Sequence, residues 1–393
     1  MNSEHHISRG RGHSGAALLM ATSAIGPGFL TQTAVFTQKF GANIAASIAL
    51  SVLLDVIVQI AIWRVIIVSG KRAQDVANTV VRGSGTVLAL VVAIGGFIFT
   101  IGNVAGAGLG MMSMSGLPSR VGAVLSAIVA ITLFFLPTAR AAVDKFVALM
   151  AAIMFFATLA AAIAVKPPLY EVSTRVFMLW NSDIAATLTL VGGTVGGYIT
   201  FAGAHRLVDA GIVGEGMVRY ATTSAVWGIG IASCMRIFLF LAVLGSVMHE
   251  GRLSNTNPAA TPFSVAFGTY GTQLFGMVMW AASMTSIIGS TYTSLSFLRS
   301  LSRTIERYER YAVGIFIGTS ALLFVSFGQP ISILIFAGLV NSFVLPFALA
   351  IMLSAAYKTS VVGAYKQPLW VTVVGSTIAV LLTGMSMYAV LCK

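Results

Sequence analysis

The chain has 393 residues, of which 57% are hydrophobic and 9% are charged, and its mean hydropathy is +0.93. Apolar runs of about 20 residues recur along it, so the composition excludes a soluble domain and predicts a polytopic helical membrane protein. The formal charge of +12 does not indicate nucleic-acid binding, because the basic residues fall in short loops between apolar runs. Cys234 and Cys392 stand far apart, which excludes a disulfide framework or a zinc motif.

Eleven apolar stretches in chain order predict eleven membrane-spanning helices. They cover about 15–38, 43–69, 85–112, 120–137, 143–165, 185–206, 221–248, 263–298, 311–328, 331–357 and 368–392. The eighth is long, and we expect it to kink near Gly289 or to begin with an amphipathic stretch. We expect no cleavable signal before the first span, because that span belongs to the bundle.

The lysine and arginine residues between the spans predict the orientation. Fifteen fall on one side and six on the other, and the richer side is expected to face the cytoplasm. The N-terminus is therefore expected in the cytoplasm and, with an odd number of spans, the C-terminus outside. We expect a multi-pass protein of the inner (plasma) membrane.

Two of the predicted spans are interrupted by residues that break helices. Gly26, Pro27 and Gly28 interrupt the first span, and Gly196 and Gly197 interrupt the sixth. Irregular backbone at membrane depth is tolerated only where protein or a water-filled cavity surrounds it. A plain proline kink would explain the first break alone, but paired breaks in two halves of a chain indicate a transporter site between inverted repeats.

The second span ends with Gln59, Trp63 and Arg64, followed by a Gly-Lys turn at 70–71. This order resembles the second helix of the natural resistance-associated macrophage protein (NRAMP) family of metal transporters. The first break resembles that family's Asp-Pro-Gly-Asn motif, and 193–195 resembles the lead-in to its Met-Pro-His-Asn motif. The resemblance implies an all-α polytopic fold of the LeuT type, with a 5+5 inverted repeat, an eleventh helix, and helices 1 and 6 broken.

The resemblance also implies a division of the chain. The parts are a cytoplasmic N-terminal tail at 1–14, a first repeat at 15–165, an external loop at 166–184, a second repeat at 185–357 and the eleventh helix at 358–393.

The residues at the breaks depart from the family's metal-binding pattern. Gly26 and Phe29 stand where the family has an aspartate and an asparagine, and Gly196 stands in place of its methionine. The third span carries Asn103 and no carboxylate where the family has an aspartate and a glutamate. Divalent cations prefer carboxylate, imidazole or sulfur ligands. We therefore expect no metal ligand here and a substrate that has changed.

The broken helices would supply most of the substrate site. The predicted substrate-binding residues are Gly26, Pro27, Gly28, Phe29, Gln32, Asn103, Gly196, Gly197, Tyr198 and Phe201, with further hydroxyls at Thr31 and Thr194. Free N–H groups at the start of each second half carry the positive end of a helix dipole and suit a carboxylate. The set suits a small organic molecule such as an amino acid, although Phe201 would equally serve as a packing residue.

Three ionisable residues in the spans are candidates for coupling or charge recognition, namely Asp55, Arg236 and His205. A lone charge at mid-membrane costs about 2.5–3.5 kcal/mol or more, so Arg236 must pair, contact water or meet an anion. A structural Arg236–Asp55 pair stands beside two functional alternatives, anion recognition by Arg236 and proton binding by Asp55. His205 would either carry protons or cap a helix end. Asn341 is a further polar group, suited to a gate.

A sodium ion is the other candidate for coupling. Ser290, Thr293 and Ser294 of the eighth span, together with backbone oxygens near Ala24 and Ile25, would supply its ligands. The alternative is that these hydroxyls bond their own helix backbone.

We expect a secondary-active transporter that works by alternating access and carries a small carboxylate or amino-acid-like substrate with H⁺ or Na⁺. The alternative is a divalent metal transporter, for an ion such as Mn²⁺ or Mg²⁺, with a non-standard weak site. A channel or sensor without coupled transport is a third possibility. No catalytic set or cofactor motif indicates an enzyme. The expected partners are the bilayer, the substrate and the coupling ion, with no nucleic acid, and the expected state is a monomer.

Overall fold

The computed structural model describes residues 24–178, 180 and 182–391, and at 137–145, 147 and 303 it describes the backbone alone. In these ranges the chain is almost wholly helical and contains no strand. The predicted tail at 1–14 and the start of the first predicted span lie outside the described residues.

The helices follow one another along the chain with short connections. In order they are α1 (Pro27–Phe40), α2 (Ile44–Ser69), α3 (Ala73–Val80), α4 (Ser84–Ser115), α5 (Ser119–Phe135), α6 (Pro137–Ala164), α7 (Leu169–Arg175), α8 (Ile184–Val195), α9 (Tyr198–Asp209), α10 (Val218–Glu250), α11 (Thr261–Arg299), α12 (Arg303–Arg307), α13 (Glu309–Phe327), α14 (Pro330–Ser342), α15 (Val344–Ala355), α16 (Thr359–Val362) and α17 (Leu369–Leu391).

The described part of the chain has eight stretches long and apolar enough to cross a membrane, or nine if the bent pair Ala148–Ala164 and Leu169–Arg175 is one span. One of the eight, Pro27–Ser69, contains both α1 and α2, and the apolar helix Ser119–Phe135 falls short of the required length. Each predicted span therefore coincides with one helix or with two consecutive helices. The chain is a multi-pass membrane protein.

Two predicted spans differ in detail from the structure. The expected kink near Gly289 is wrong, because α11 leaves helical geometry near its start, at Gly268, where φ is 62°. The tenth span is two helices, α14 and α15, that meet at Phe343. Pro346 lies in the first turn of α15 and has no N–H to donate to the carbonyl of Ser342, so the hydrogen-bond ladder is interrupted there.

The amphipathic helix α3 lies between the second and third predicted spans and is not among the elements that the sequence predicts. It buries Ala73, Gln74, Val76 and Ala77. It lies at the basic end of the bundle, which we define as the end that carries the loops 70–83, 210–217 and 300–308. The amphipathic run is only eight residues long and has charges at both sides, which is too short to separate a surface helix from a polar loop by its period.

Helices α4 and α11 meet along small residues that bring their backbones into contact. A Cβ added to Gly110 would lie 2.7 Å from the Trp280 nitrogen and 2.8 Å from the Gly276 carbonyl oxygen. A Cβ added to Gly276 would lie 2.7 Å from the Gly110 carbonyl oxygen. Such close approach is how helices gain packing energy in a membrane, where no hydrophobic force drives them together. The contact fixes α11 beside α4.

We expect Gly110→Ala to lower the thermal stability of the purified protein. The new Cβ would meet backbone atoms that cannot rotate away, and overpacking of this kind costs about 1–3 kcal/mol. The matched control is Gly289→Ala on α11, where a Cβ meets nothing within 4 Å. Melting curves in detergent that show equal losses for the two variants would contradict the close contact.

Candidate functional site

The chain leaves helical geometry at both of the predicted breaks. Gly26 is extended, with φ −99° and ψ 176°, and α1 begins at Pro27, where the missing N–H leaves no helical bond unmade. Beyond the end of α8, Gly196 is extended and Gly197 has φ 53° and ψ −120°, and α9 then begins at Tyr198. The positive φ at Gly197 favours glycine because a Cβ would be strained there.

Helix α2 holds the second break. The Trp63 Nε1 donates to the Thr200 carbonyl oxygen at 2.8 Å, and the Gln59 amide donates to the same oxygen at 3.4 Å. The Thr200 hydroxyl donates to the carbonyl of Val195, the last residue before the break. A Cβ on Gly203 would lie 2.3 Å from the Trp63 ring, so α9 packs directly on that side chain. The sequence singled out Gln59 and Trp63 only through a resemblance, and it missed Thr200.

Unpartnered polar side chains from three helices meet beside the first break. The Ser286 Oγ of α11 lies 3.0 Å, and the Asn103 Oδ1 of α4 lies 3.8 Å, from the position of a Cβ on Gly26. The Asn103 amide also lies near the Tyr198 hydroxyl at the start of α9, but not in hydrogen-bonding geometry. We call these four residues, Gly26, Asn103, Tyr198 and Ser286, the break cluster.

The break cluster is buried, polar and uncharged. Neither atom of the Asn103 amide has a hydrogen-bond partner, and the hydroxyls of Tyr198 and Ser286 have none either. All three side chains are at most 3% exposed. A buried polar group without a partner costs about 1–3 kcal/mol, so the cluster is suited to a ligand that supplies donors and acceptors. The sequence indicated Asn103 and Tyr198, whereas Ser286 looked like one of several small packing residues.

Gln32 and Gly28 lie against α14 and not in the break cluster. The Gln32 Nε2 donates to the Leu334 carbonyl oxygen at 2.9 Å. The Gln32 amide fits between Gly193 and Gly338, because a Cβ on either glycine would lie 2.2 Å or 2.3 Å from it. A Cβ added to Gly28 would lie 3.5 Å from the Gln32 Nε2 and 3.7 Å from the Leu334 carbonyl oxygen. Protein groups therefore use the close approach that these glycines allow.

The Asn341 side chain fills the space beside Gly197 that a Cβ on that glycine would need. Its Nδ2 donates to the carbonyl oxygens of Gly95 at 3.0 Å and Ala337 at 2.8 Å. Its Oδ1 would lie 1.8 Å from a Cβ on Gly197. The residue that the sequence marked as a possible gate thus lies directly against the second break.

Arg236 is buried among α1, α2, α8 and α10. Its guanidinium carbon lies 4.2 Å from the centre of the Phe29 ring. It donates to the Ser51 hydroxyl and to the Leu190 carbonyl, each at 3.4 Å, which is long for a hydrogen bond. Phe29 belongs to the first turn after one break, and Leu190 to the half-helix before the other.

Asp55 is the charged neighbour of Arg236. It is wholly buried, close enough to interact with the Arg236 charge, and near the Thr194 hydroxyl. No ion pair within 4.0 Å joins the two residues, and in the described structure both Asp55 oxygens and the Arg236 Nε lack hydrogen-bond partners. Asp55 and Arg236, which the sequence suggested as a structural pair, therefore lie close together without a direct contact.

Phe201 and His205 lie farther along α9, toward the basic end. The Phe201 and His205 rings stand 5.3 Å and 5.1 Å from the Phe297 ring, and the His205 Nε2 accepts the Ala73 N–H at 3.1 Å. The structure places Phe201 in aromatic packing and His205 at the start of α3. Nearby, Asp209 pairs with Arg72 at 3.0 Å.

The hydroxyls proposed for a sodium site face another helix. Ser290 bonds the Thr100 hydroxyl at 2.7 Å, and the Ser294 Oγ would lie 1.9 Å from a Cβ on Gly96. Ser290 also donates to the Ser286 carbonyl of its own helix at 2.7 Å, which is the alternative that the sequence left open. In the described residues no three His, Cys, Asp or Glu side chains form a group that could hold a metal ion.

We expect Gly197→Ala to destabilise the folded protein, because it combines a strained φ with a collision against Asn341. Strain of this kind costs about 1–3 kcal/mol before the collision is counted. The matched control is Gly214→Ala, which also has a positive φ, of 95°, but meets nothing within 4 Å. The melting temperature should fall further for Gly197→Ala, and equal falls would contradict the contact.

Comparison with known proteins places the chain in a family. A family model described as natural resistance-associated macrophage protein-like matches residues 17–392. An uncharacterized membrane protein of Bacillus subtilis, YcsG, is 46% identical over 374 residues, covering 95% of this chain and 93% of the relative. An uncharacterized membrane protein of Haemophilus influenzae is 49% identical over 372 residues, covering 95% and 94%.

Solved structures show the same fold at low identity. A mutant of the Eremococcus coleocola manganese transporter is 16% identical, with a TM-score of 0.72 over 96% of this chain and 85% of the other. MhsT in complex with L-phenylalanine is 14% identical, with a TM-score of 0.63 over 95% and 98%. The chain has the LeuT-like fold, and it belongs to the natural resistance-associated macrophage protein-like family, whose members are membrane transporters and not enzymes.

Proposed function

We propose that this transporter carries a small organic molecule with a carboxylate, such as an amino-acid-like compound, by alternating access coupled to H⁺ or Na⁺. The observation that carries the proposal is the break cluster. Asn103, Tyr198 and Ser286 offer an amide and two hydroxyls, all buried and without partners, beside the first break. An organic ligand with several donors and acceptors would satisfy these groups, because buried polar groups in proteins are normally hydrogen-bonded.

The start of α1 supports a carboxylate in the ligand. The first N–H groups of a helix have no partner within it and lie at the positive end of the helix dipole. No side chain caps α1 at Gly26, so its first-turn donors at Gly28 and Phe29 are not used by a capping residue. An anion at such a helix end is favourable. The L-phenylalanine complex of MhsT is consistent with an amino-acid ligand in this fold.

The ligand chemistry argues against a transition metal as the substrate. Gly26, Phe29, Gly196 and Tyr198 offer no carboxylate, imidazole or thioether at the breaks. The neighbour that transports manganese is 16% identical, which supports a common fold and not a common cargo. A weak site for Mn²⁺ or Mg²⁺ built from carbonyls and water is the alternative, and the experiment below includes it.

The membrane arrangement is also part of the proposal. The basic end of the bundle would face the cytoplasm of a cell whose plasma membrane holds the protein, with the C-terminus outside. The two halves, 15–165 and 185–357, would form the inverted repeats that rock around the breaks, and one copy of the chain would suffice.

The test is the thermal stability of the purified protein against a panel of amino acids, small organic acids, Mn²⁺ and Mg²⁺. We expect a carboxylate compound to raise the melting temperature, because a ligand that binds only the folded state stabilises it by mass action. Asn103→Ala should remove most of this shift. The matched control is Thr132→Ala, a hydroxyl on an exposed face of α5 that bonds its own helix.

Stabilisation by a divalent ion alone would overturn the organic assignment and support the alternative. With a stabilising compound in hand, uptake into liposomes against its gradient should require an imposed proton or sodium gradient. Uptake that only equilibrates the compound would indicate a channel.

A further inference from the structure

We propose that Asp55 is the group that binds the coupling proton, and that Arg236 transmits its protonation state to the two broken helices. The inference rests on the proposed function in one respect, because it names the proton as the coupling ion. It concerns a site separate from the break cluster, formed by α2 and α10 next to α1 and α8.

The environment of Asp55 suits a protonated carboxyl. Both of its oxygens are buried without a hydrogen-bond partner, although the Thr194 hydroxyl lies near, and no ion pair within 4.0 Å joins Asp55 to the guanidinium of Arg236. A carboxylate in a dry interior costs several kcal/mol unless donors or a direct ion pair compensate it. A neutral carboxyl carries no charge to compensate, and its unmade hydrogen bonds cost only about 1–3 kcal/mol, so the described arrangement fits the protonated state better.

Few other ionisable groups compete for this role. Of the helices that pack against α2, α8 and α15 carry none. On α9, His205 bonds the Ala73 N–H. Ala73 follows the end of α2, and that end lies about 20 Å from Asp55 along the axis of the helix.

The remaining groups face elsewhere. Tyr198 faces Asn103 on α4, Lys39 is exposed at the far end of α1, and Tyr388 on α17 is half-exposed. On α10, Arg219, Cys234 and Glu250 are exposed and His249 bonds the Val165 carbonyl. On α9, Arg206 and Asp209 are exposed, and Arg64 of α2 itself donates to the Tyr365 hydroxyl. On the short end helices, Glu171, Arg175 and Asp75 lie beyond the ends of α2.

Loss of the proton from Asp55 would change the contacts that Arg236 makes. In the described state its guanidinium contacts the Phe29 ring on α1 and donates to the Leu190 carbonyl on α8 through one hydrogen bond of 3.4 Å, which is long and weak. An ionised Asp55 would attract the guanidinium into a direct, charge-assisted pair, which is the stronger interaction. Arg236 would then release the two half-helices beside the breaks. Proton occupancy at Asp55 would thus bias the positions of α1 and α8.

The first experiment needs no substrate. Infrared difference spectra of the protein in lipid vesicles, recorded as the pH is raised, should show loss of the carbonyl-stretch band of a protonated carboxyl. Asp55→Asn should lack this band, and Glu215→Gln, an exposed carboxylate, should retain it. A pH-dependent band that persists unchanged in Asp55→Asn, or the absence of any such band in the unmodified protein, would overturn the proposal.

Two further variants keep the test decisive if Asp55→Asn does not fold. Asp55→Glu should keep a band and shift its frequency, whereas Arg236→Gln should move the pH at which the band is lost to a higher value, since a cation that favours the carboxylate is gone. The matched control is Arg219→Gln on the same helix, which should leave that pH unchanged. A band that responds equally to both arginine variants would contradict the role of Arg236.

The second experiment uses whichever compound stabilises the protein in the ligand panel. With Asp55→Asn, exchange of that compound across liposomes should continue, while uptake driven by a proton gradient should be lost. Proton-driven uptake by this variant would overturn the proposal. If no panel compound binds, the substrate assignment fails, but the infrared titration still decides whether Asp55 takes up a proton.

Discussion

The structure depends on how the backbone polar groups freed at two helix breaks are satisfied in an interior without bulk water. A membrane offers no solvent to a free carbonyl or N–H, so each must find a protein group, water or a ligand. At the second break protein groups do this, because the Ile199 N–H donates to the Gly196 carbonyl and the Thr200 hydroxyl donates to the Val195 carbonyl. At the first break the Gly26 N–H donates to the Ala24 carbonyl and the Gly26 carbonyl accepts from Leu30, whereas the Asn103 amide and the Ser286 hydroxyl beside Gly26 have no partner.

The two breaks therefore have different surroundings. The second is bonded to α2 through Trp63 and Gln59, and Asn341 packs against Gly197. The first faces Asn103 and Ser286, which belong to helices joined by the Gly110–Gly276 contact. A ligand placed there would connect α1 to the α4–α11 pair.

Charge is kept away from the break cluster but not from the bundle. Arg236 and Asp55 lie on α10 and α2, with Arg236 against the Phe29 ring, and the cluster itself is neutral. Fold and cargo are separable, because helix packing fixes the fold whereas a few side chains determine the ligand. At the breaks of this chain, Gly26, Phe29 and Gly196 offer no carboxylate, imidazole or thioether.

The sequence alone determined the class of protein, the apolar spans and the two breaks at 26–28 and 196–197, because each follows from local chemistry. Apolar length sets a span, and a proline flanked by glycines, or two adjacent glycines, favours a helix end. The irregularities at Gly268 and Phe343 have no such signal. Only the tertiary structure decided which polar side chains meet. Gln32 and Asn103 looked alike in the sequence, yet one amide is bonded to α14 and the other has no partner. Their difference depends on contacts between residues hundreds of positions apart, which no local pattern contains.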